Sequence, residues 1–129
     1  MKVTGSEILL DSSAWLSYFL KGDAKVSAFV DSKDYLPLTS VMSIFEVKRK
    51  LIIEKKNRET IESALKFIKA NSFVVDLTAQ ICEKAAEESI KEKLHALDSL
   101  IYVTAKEFNA VLLTGDSDFK SKKNVILVK

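Results

Sequence analysis

Apolar residues in this 129-residue chain fall into short continuous runs, set between longer stretches in which they recur at helical spacing. Glu7-Ile8-Leu9-Leu10 predicts a strand that ends at Asp11, and Tyr35-Leu36-Pro37-Leu38 a second. Ser72 to Asp76, Ala110 to Thr114 and Asn124 to Val128 predict three more. Pro37 argues against a central position, although proline is tolerated at strand starts and bulges. Between these runs, Ser12 or Ser13 caps a helix carrying Trp15, Leu16, Phe19 and Leu20 that stops near Gly22. Asp23 caps a short helix with Val26, Phe29 and Val30. Thr39 or Ser40 opens a long helix to about Lys56, with Val41, Ile44, Phe45, Leu51 and Ile52 as its apolar stripe. Lys48 falls inside that stripe, as a snorkelling cation or a packing irregularity. A helix over about Glu59 to Ala70 aligns Ile61, Ala64, Leu65 and Ile68. Thr78 caps another, with Ile81, Cys82, Ala85 and Ala86. The last helix starts near Leu97 and carries Leu100, Ile101, Thr104, Ala105 and Phe108.

Short apolar strands separated by helices imply an α/β fold whose parallel sheet is covered on both faces. The length fits one domain spanning 1–129. Ligands of such sheets bind beyond the carboxyl ends of the strands, and that rule selects among the acids. Asp11 follows the first strand directly, and Asp116 follows the fourth after one glycine. Asp98 lies in the first turn of its helix, where the dipole favours a carboxylate. Glu46 lies early in a helix that leaves a strand, off the stripe and beside Met42, Arg49 and Ile53. Taken singly, each acid has a structural reading as a cap, a turn residue or a dipole partner, and Asp118 reads equally as the cap of a turn at Phe119. Taken together, four acids from distant segments converge.

Converging carboxylates repel and take up protons unless a cation neutralises them. A hard ion such as Mg²⁺ or Mn²⁺ suits an all-oxygen site, and no Cys/His set for zinc exists. A divalent ion there activates water for phosphodiester hydrolysis.

Composition narrows the field further. The chain is 47% hydrophobic with three Gly and one Pro, so it is neither disordered nor fibrous. Twenty basic and 18 acidic residues leave a net charge of +2, which by itself implies no nucleic-acid partner. The single Cys82 reads as a buried, inert thiol, and with no secretory leader it points to the cytoplasm. No apolar run is long enough to cross a membrane. Trp15 and Phe19 read as core rather than as a base-stacking platform. No nucleophile elbow or phosphate loop is present.

Ile8-Leu9-Leu10-Asp11-Ser12-Ser13-Ala14, Thr39 to Val47 with Glu46, Leu97 to Ala105 with Asp98, and Leu112-Leu113-Thr114-Gly115-Asp116-Ser117-Asp118-Phe119 together resemble the four motifs of PIN-domain nucleases, especially the VapC toxins of toxin–antitoxin pairs. The resemblance implies a three-layer fold with a five-stranded parallel sheet of order 3-2-1-4-5. It implies a metal-dependent endoribonuclease, an RNA substrate, a homodimer and inhibition by a cognate antitoxin. On this match Asp11, Glu46, Asp98 and Asp116 are catalytic metal ligands, with Asp118 a variable fifth. Thr114, and less surely Ser12, orient them by hydrogen bonds.

Basic residues around the acids, Lys48, Arg49, Lys93, Lys120 and Lys122, are expected to hold phosphates. The family's basic residue before the third acid is replaced by Lys91-Glu92-Lys93-Leu94-His95, so Lys93 or His95 stands in its place. His95 otherwise reads as a surface residue at a helix start. Met42, Arg49 and Ile53 read either as a dimer surface or as an intrachain contact. The alternatives are a non-catalytic PIN-like RNA- or protein-binding module, a housekeeping RNA-processing nuclease, and a phosphoacceptor receiver domain. The last lacks paired acids after the first strand.

Overall fold

The computed structural model describes residues 6–128 and contains the five strands the apolar runs imply: β1 (Glu7–Leu10), β2 (Leu36–Ser40), β3 (Phe73–Val75), β4 (Val111–Thr114) and β5 (Val125–Leu127). All pair in parallel, in the order β3-β2-β1-β4-β5. Six helices connect and cover them: α1 (Ser12–Lys21), α2 (Ala24–Val30), α3 (Val41–Ile53), α4 (Arg58–Asn71), α5 (Ala79–Lys91) and α6 (Ala96–Glu107). The strand order reverses at β1, which lies between β2 and β4, so the carboxyl ends of β1 and β4 open onto the crevice of a doubly wound sheet.

Successive strand residues face opposite layers. Ile8, Leu10 and Leu113 join Trp15, Val47, Leu51, Ile61 and Ile68 on the face covered by α1 to α4. Leu9 and Leu112 join Leu38, Leu94, Ile101, Tyr102 and Phe119 on the face covered by α6. Helix α5 packs outside α6 rather than on the sheet, through Ile81, Ala85 and Val103.

Pro37 is accommodated within β2 although that strand is flanked on both sides. The Leu36 N–H bonds the Ser6 carbonyl on the β1 side, and pairing with β3 begins only at Leu38, so the missing proline N–H removes no ladder bond.

Several helix expectations need correction. Asp11, not Ser12 or Ser13, caps α1, accepting from the Ala14 N–H. The apolar stripe expected of α3 is only partly the buried one: Leu51 is buried, but Phe45 and Ile52 are not. The buried residues of the helix are Ser43, Val47 and Leu51, whereas Phe45 is 66% exposed and Ile52 55%. The helix carries apolar residues on two faces, and periodicity alone does not say which meets the sheet. Lys48 is therefore no anomaly, because its face is the exposed one. Met42 packs against the α6-side core, while Arg49 and Ile53 stay exposed. Helix α3 ends at Ile53, with Lys55 in the left-handed region, earlier than Lys56. In α5 only the Ile81/Ala85 ridge is covered, so Cys82 is exposed rather than buried. Phe108, placed in the α6 stripe, is 38% exposed just past the helix end.

A buried polar chain ties the α1 layer to the sheet. The Trp15 Nε1–H donates to Thr39 Oγ1 at 3.0 Å, Thr39 Oγ1 lies 2.8 Å from Ser72 Oγ, and Ser72 Oγ donates to the Ile68 carbonyl at 2.6 Å. Each hydroxyl has one proton, so Thr39 donates to Ser72 and every group is paired. Thr39→Val keeps the shape and removes that relay, leaving the fully buried indole N–H without an acceptor. Urea unfolding is expected to show a loss of about 1–3 kcal/mol, the usual cost of one orphaned buried donor.

Candidate metal centre

The polypeptide brings its predicted acids to one end of the sheet by three devices. β1 ends at Leu10 and is followed directly by Asp11, whose backbone N–H bonds the Leu113 carbonyl at 3.2 Å, locking it beside the end of β4. β4 ends at Thr114, after which Asp116 caps a short 3₁₀ turn over Ser117–Phe119 by accepting from the Asp118 N–H at 2.9 Å. α6 enters from His95 and carries Asp98 in its first turn.

Asp98, Asp116 and Asp118 each offer a carboxylate oxygen, and these oxygens lie within 4.8 Å of one another. Asp11 sits behind them, only 7% exposed. Its Oδ1 accepts from Ser13 Oγ at 2.6 Å and from the Ala14 N–H at 3.1 Å; its Oδ2 accepts from Thr114 Oγ1 at 2.5 Å. Ser13 Oγ in turn accepts from the Gly115 N–H at 2.8 Å, and Thr114 Oγ1 from the Asp116 N–H at 3.0 Å. With Asp11 ionised, both hydroxyl protons point at its carboxylate, and both hydroxyl oxygens anchor the turn that carries Asp116. The 3.2 Å approach of Ser13 Oγ to Thr114 Oγ1 then needs no proton of its own.

Thr114 has the supporting place expected of it. Ser13 was named in sequence only as a possible cap, and two adjacent serines give no signal as to which one faces the acids. Ser12 serves another acid, Glu46, whose charged form its hydroxyl favours.

The electrostatics show one shared cleft. Burial raises the Asp98 pKa to about 6, helped by the charges of Asp116, Asp118 and Asp11 and opposed by His95. Burial likewise pushes Asp11 up, against the hydrogen bonds from Ser13, Thr114 and the backbone. Burial also raises Glu46, against Ser12, with the Asp11 charge adding to the rise. Asp11 is thus the charge felt on both sides, by Glu46 and by Asp98. Glu46 and Asp11 stand outside the tight group of three, and Asp118, the variable fifth, stands inside it.

The basic candidates are dispersed. Lys48 and Arg49 line the exposed apolar face of α3 with Phe45 and Ile52. Lys93 and Lys120 are exposed. His95 is a surface residue at the helix start and also a neighbour of the acids, its Nε2 4.0 Å from Asp118 Oδ2. Lys122 is occupied within the chain, donating to the Glu92 carbonyl at 2.7 Å and reaching Glu92 Oε1 at 3.2 Å.

The sequence profile of the PIN domain matches residues 8–125, nearly the whole chain. The chain belongs to the PIN-domain family. Solved PIN-like structures superpose over most of their length. A toxin–antitoxin complex from Klebsiella pneumoniae aligns with a TM-score of 0.76 at 19% identity, covering 95% of this chain and 98% of that one. VapC20 of Mycobacterium tuberculosis, described as a sarcin–ricin-loop-cleaving toxin, gives 0.72 at 21% identity over 92% and 96%. VapBC2 of Rickettsia felis, solved with a promoter DNA fragment, gives 0.74 at 20% identity over 94% and 96%. At these identities the likeness is one of fold. A search of curated proteins gives no match.

The donor set of this PIN domain fits a hard divalent cation. It is all oxygen, it converges, and burial with the charge of its neighbours keeps Asp98 from easy ionisation. A consequence follows for stability. The folded pKa values of Asp98, Asp11 and Glu46 all lie above their ordinary values, so the metal-free fold holds extra protons and loses stability as pH rises through them. For Asp98 the window runs from 3.8 to about 6. Thermal unfolding in EDTA is expected to show Tm falling across that window. Asp98→Asn flattens the fall, and Mn²⁺ added at pH 7 restores Tm in the parent but not in the variant.

Proposed function

We propose that this PIN domain is a Mg²⁺- or Mn²⁺-dependent endoribonuclease and the toxin of a VapBC-type toxin–antitoxin pair. The observation that carries the reading is the meeting of Asp98, Asp116 and Asp118 oxygens within 4.8 Å at the carboxyl end of a parallel sheet, with Asp11 and Glu46 behind them. Asp98, Asp116, Asp11 and Glu46, with Asp118, would hold the cation. When bound, a divalent cation there supplies charge neutralisation and an activated water for attack on a phosphodiester. The protein's own part is positional. Thr114 and Ser13 fix the plane of Asp11, and Asp116 fixes the turn that presents Asp118. His95, Lys93 and Lys120 stand on the segments that bear Asp98 and Asp118 and would hold the RNA backbone. Lys48 and Arg49 stand apart from these, on the exposed apolar face of α3. Single-stranded or looped RNA suits an open cleft of this kind, in keeping with the loop substrate named for VapC20.

Two surfaces support the partners. The exposed α3 face, with Ile44, Phe45, Ile52 and Ile53, is apolar in the manner of a homodimer interface. A groove of about 580 Å³ between α1, the end of α3 and α4 mixes Phe19 and Phe67 with Lys56, Asn57 and Glu59. That mixed character suits an exchangeable partner such as an antitoxin segment.

Incubating the protein with structured RNAs in Mn²⁺ or Mg²⁺ is expected to give cleavage that EDTA abolishes. Asp98→Asn and Asp116→Asn are each expected to lower the rate by more than the roughly 10- to 100-fold that loss of a supporting group costs. Cleavage that survives EDTA and both substitutions would sink the metal reading, and saturable RNA binding without cleavage would leave a binding module. For the dimer, Phe45→Glu is expected to convert a two-chain species to a single chain in sedimentation experiments, with secondary structure unchanged by circular dichroism.

A further inference from the structure

Asp98 and the Asp116/Asp118 pair belong to two different backbone segments, and like charge pushes those segments apart. Asp98 rides on the first turn of α6, entered from the α5–α6 turn at Glu92 to His95. Asp116 and Asp118 ride on the loop that runs from β4 through the 3₁₀ turn to β5. Three carboxylates meeting within 4.8 Å need something that holds these segments together.

Two contacts do this farther along. The Tyr102 and Phe119 rings stack with centroids 6.2 Å apart, and the Tyr102 hydroxyl reaches the Lys123 carbonyl at 3.4 Å. Both involve the second turn of α6, beyond Asp98. Two further contacts lie on the entry side: an exposed one, with His95 Nε2 4.0 Å from Asp118 Oδ2, and a more sheltered one made by Lys122. Lys122, four residues after Asp118, places its ammonium 2.7 Å from the carbonyl of Glu92 and 3.2 Å from its carboxylate. Its side chain is 21% exposed, low for a lysine, and Glu92 is 30% exposed. Glu92 is the last residue of the α5 cap, bonding the Glu88 carbonyl. From there the chain turns sharply: Lys93 is left-handed at φ 56°, the Leu94 N–H returns to the Ser89 carbonyl, and Leu94 is buried. His95 and α6 follow at once. The loop end of the contact is equally determined, since the Lys122 N–H bonds the carbonyl of buried Phe119.

We infer that Lys122 is a positioning residue for the acid cleft: through Glu92 it latches the α5–α6 turn to the β4–β5 loop and so sets how closely Asp98 approaches Asp116 and Asp118. This inference rests on the metal reading above and adds to it a group that touches neither ion nor RNA. It also replaces the role of phosphate contact for Lys122. A backbone carbonyl and a carboxylate already take up the ammonium, so binding RNA there would require breaking both contacts. The other lysines of that loop, Lys120 and Lys123, are exposed.

The test compares the parent with Lys122→Met, Lys122→Arg and Asp98→Asn, reading Mn²⁺ affinity by titration calorimetry, amide exchange over residues 93–98, RNA affinity at two salt concentrations, and Tm. Lys122→Met is expected to bind Mn²⁺ roughly ten-fold more weakly, the low end of what removing a group behind the ligands costs. Exchange over 93–98 should quicken while RNA affinity in EDTA stays unchanged. Lys122→Arg, which still reaches a carbonyl and a carboxylate, should restore most of the Mn²⁺ affinity, a recovery that a general loss of stability does not predict. The latch is overturned if Lys122→Met binds Mn²⁺ as the parent does, or if its main defect is weaker, less salt-dependent RNA binding. A parent that binds no Mn²⁺, and so cannot be told from Asp98→Asn, overturns the metal reading and the latch with it.

Discussion

Repulsion among carboxylates at one end of the sheet is the constraint around which the rest of this PIN domain is arranged. Asp11, Glu46, Asp98 and Asp116 arrive from four segments, and nothing local to any of them compels the meeting. What compels it is the parallel sheet. β1 and β4 are neighbours because the order reverses at β1, and their ends lie level because Leu10 pairs with Leu113. The cost of the meeting shows in the raised pKa values of Asp98, Asp11 and Glu46: burial is the first cause at all three, and neighbouring carboxylate charge adds to it at Asp98 and Glu46. A core that buries Leu9, Leu10, Leu112 and Leu113 completely offsets that cost, since full burial of each is worth on the order of 1.5–3 kcal/mol.

Within that frame the hydroxyls do what the carboxylates cannot do for themselves. Asp11 is almost wholly buried, yet it keeps three hydrogen bonds that favour its charged form, from Ser13, Thr114 and the Ala14 N–H. A carboxylate fixed on both oxygens cannot rotate away from its neighbours. Ser13 and Thr114 also accept from the Gly115 and Asp116 amides, so the plane of Asp11 and the course of the β4 exit turn are a single geometric fact. The cap of α1 and the carboxylate braced by Ser13 and Thr114 are therefore the same residue, so the cap reading of Asp11 holds.

Much of this was legible in the chain because strands buried on both faces announce themselves as continuous apolar runs. The five strands, their helical connections and the acids at strand ends follow from Ile8-Leu9-Leu10-Asp11 and Leu112-Leu113-Thr114-Gly115-Asp116 with little ambiguity. The order of the sheet came only with the resemblance, since periodicity carries no information about neighbours. Where reasoning from the sequence went astray, a second apolar face or a partner distant in sequence was responsible. Helix α3 has enough apolar residues for two stripes, and the buried one, at Ser43, Val47 and Leu51, contains a serine and is the less hydrophobic of the two. Cys82 was misplaced because α5 leans on α6 along one narrow ridge instead of lying on the sheet. The contact that Lys122 makes is invisible to any local pattern, because its acceptor, the Glu92 carbonyl, is thirty residues away and is backbone.

The seating of α3 fixes three faces at once. Its residues 43 and 47 fasten it to the core, Glu46 faces Ser12 and Asp11, and the face carrying Phe45 and Ile52 is left to solvent. A helix thirteen residues long cannot shift one of these faces without turning the others. Among the described residues no side-chain hydrogen bond holds Glu46, in contrast to the network around Asp11, so of the acids on that side it is the one whose position depends most on how α3 is seated.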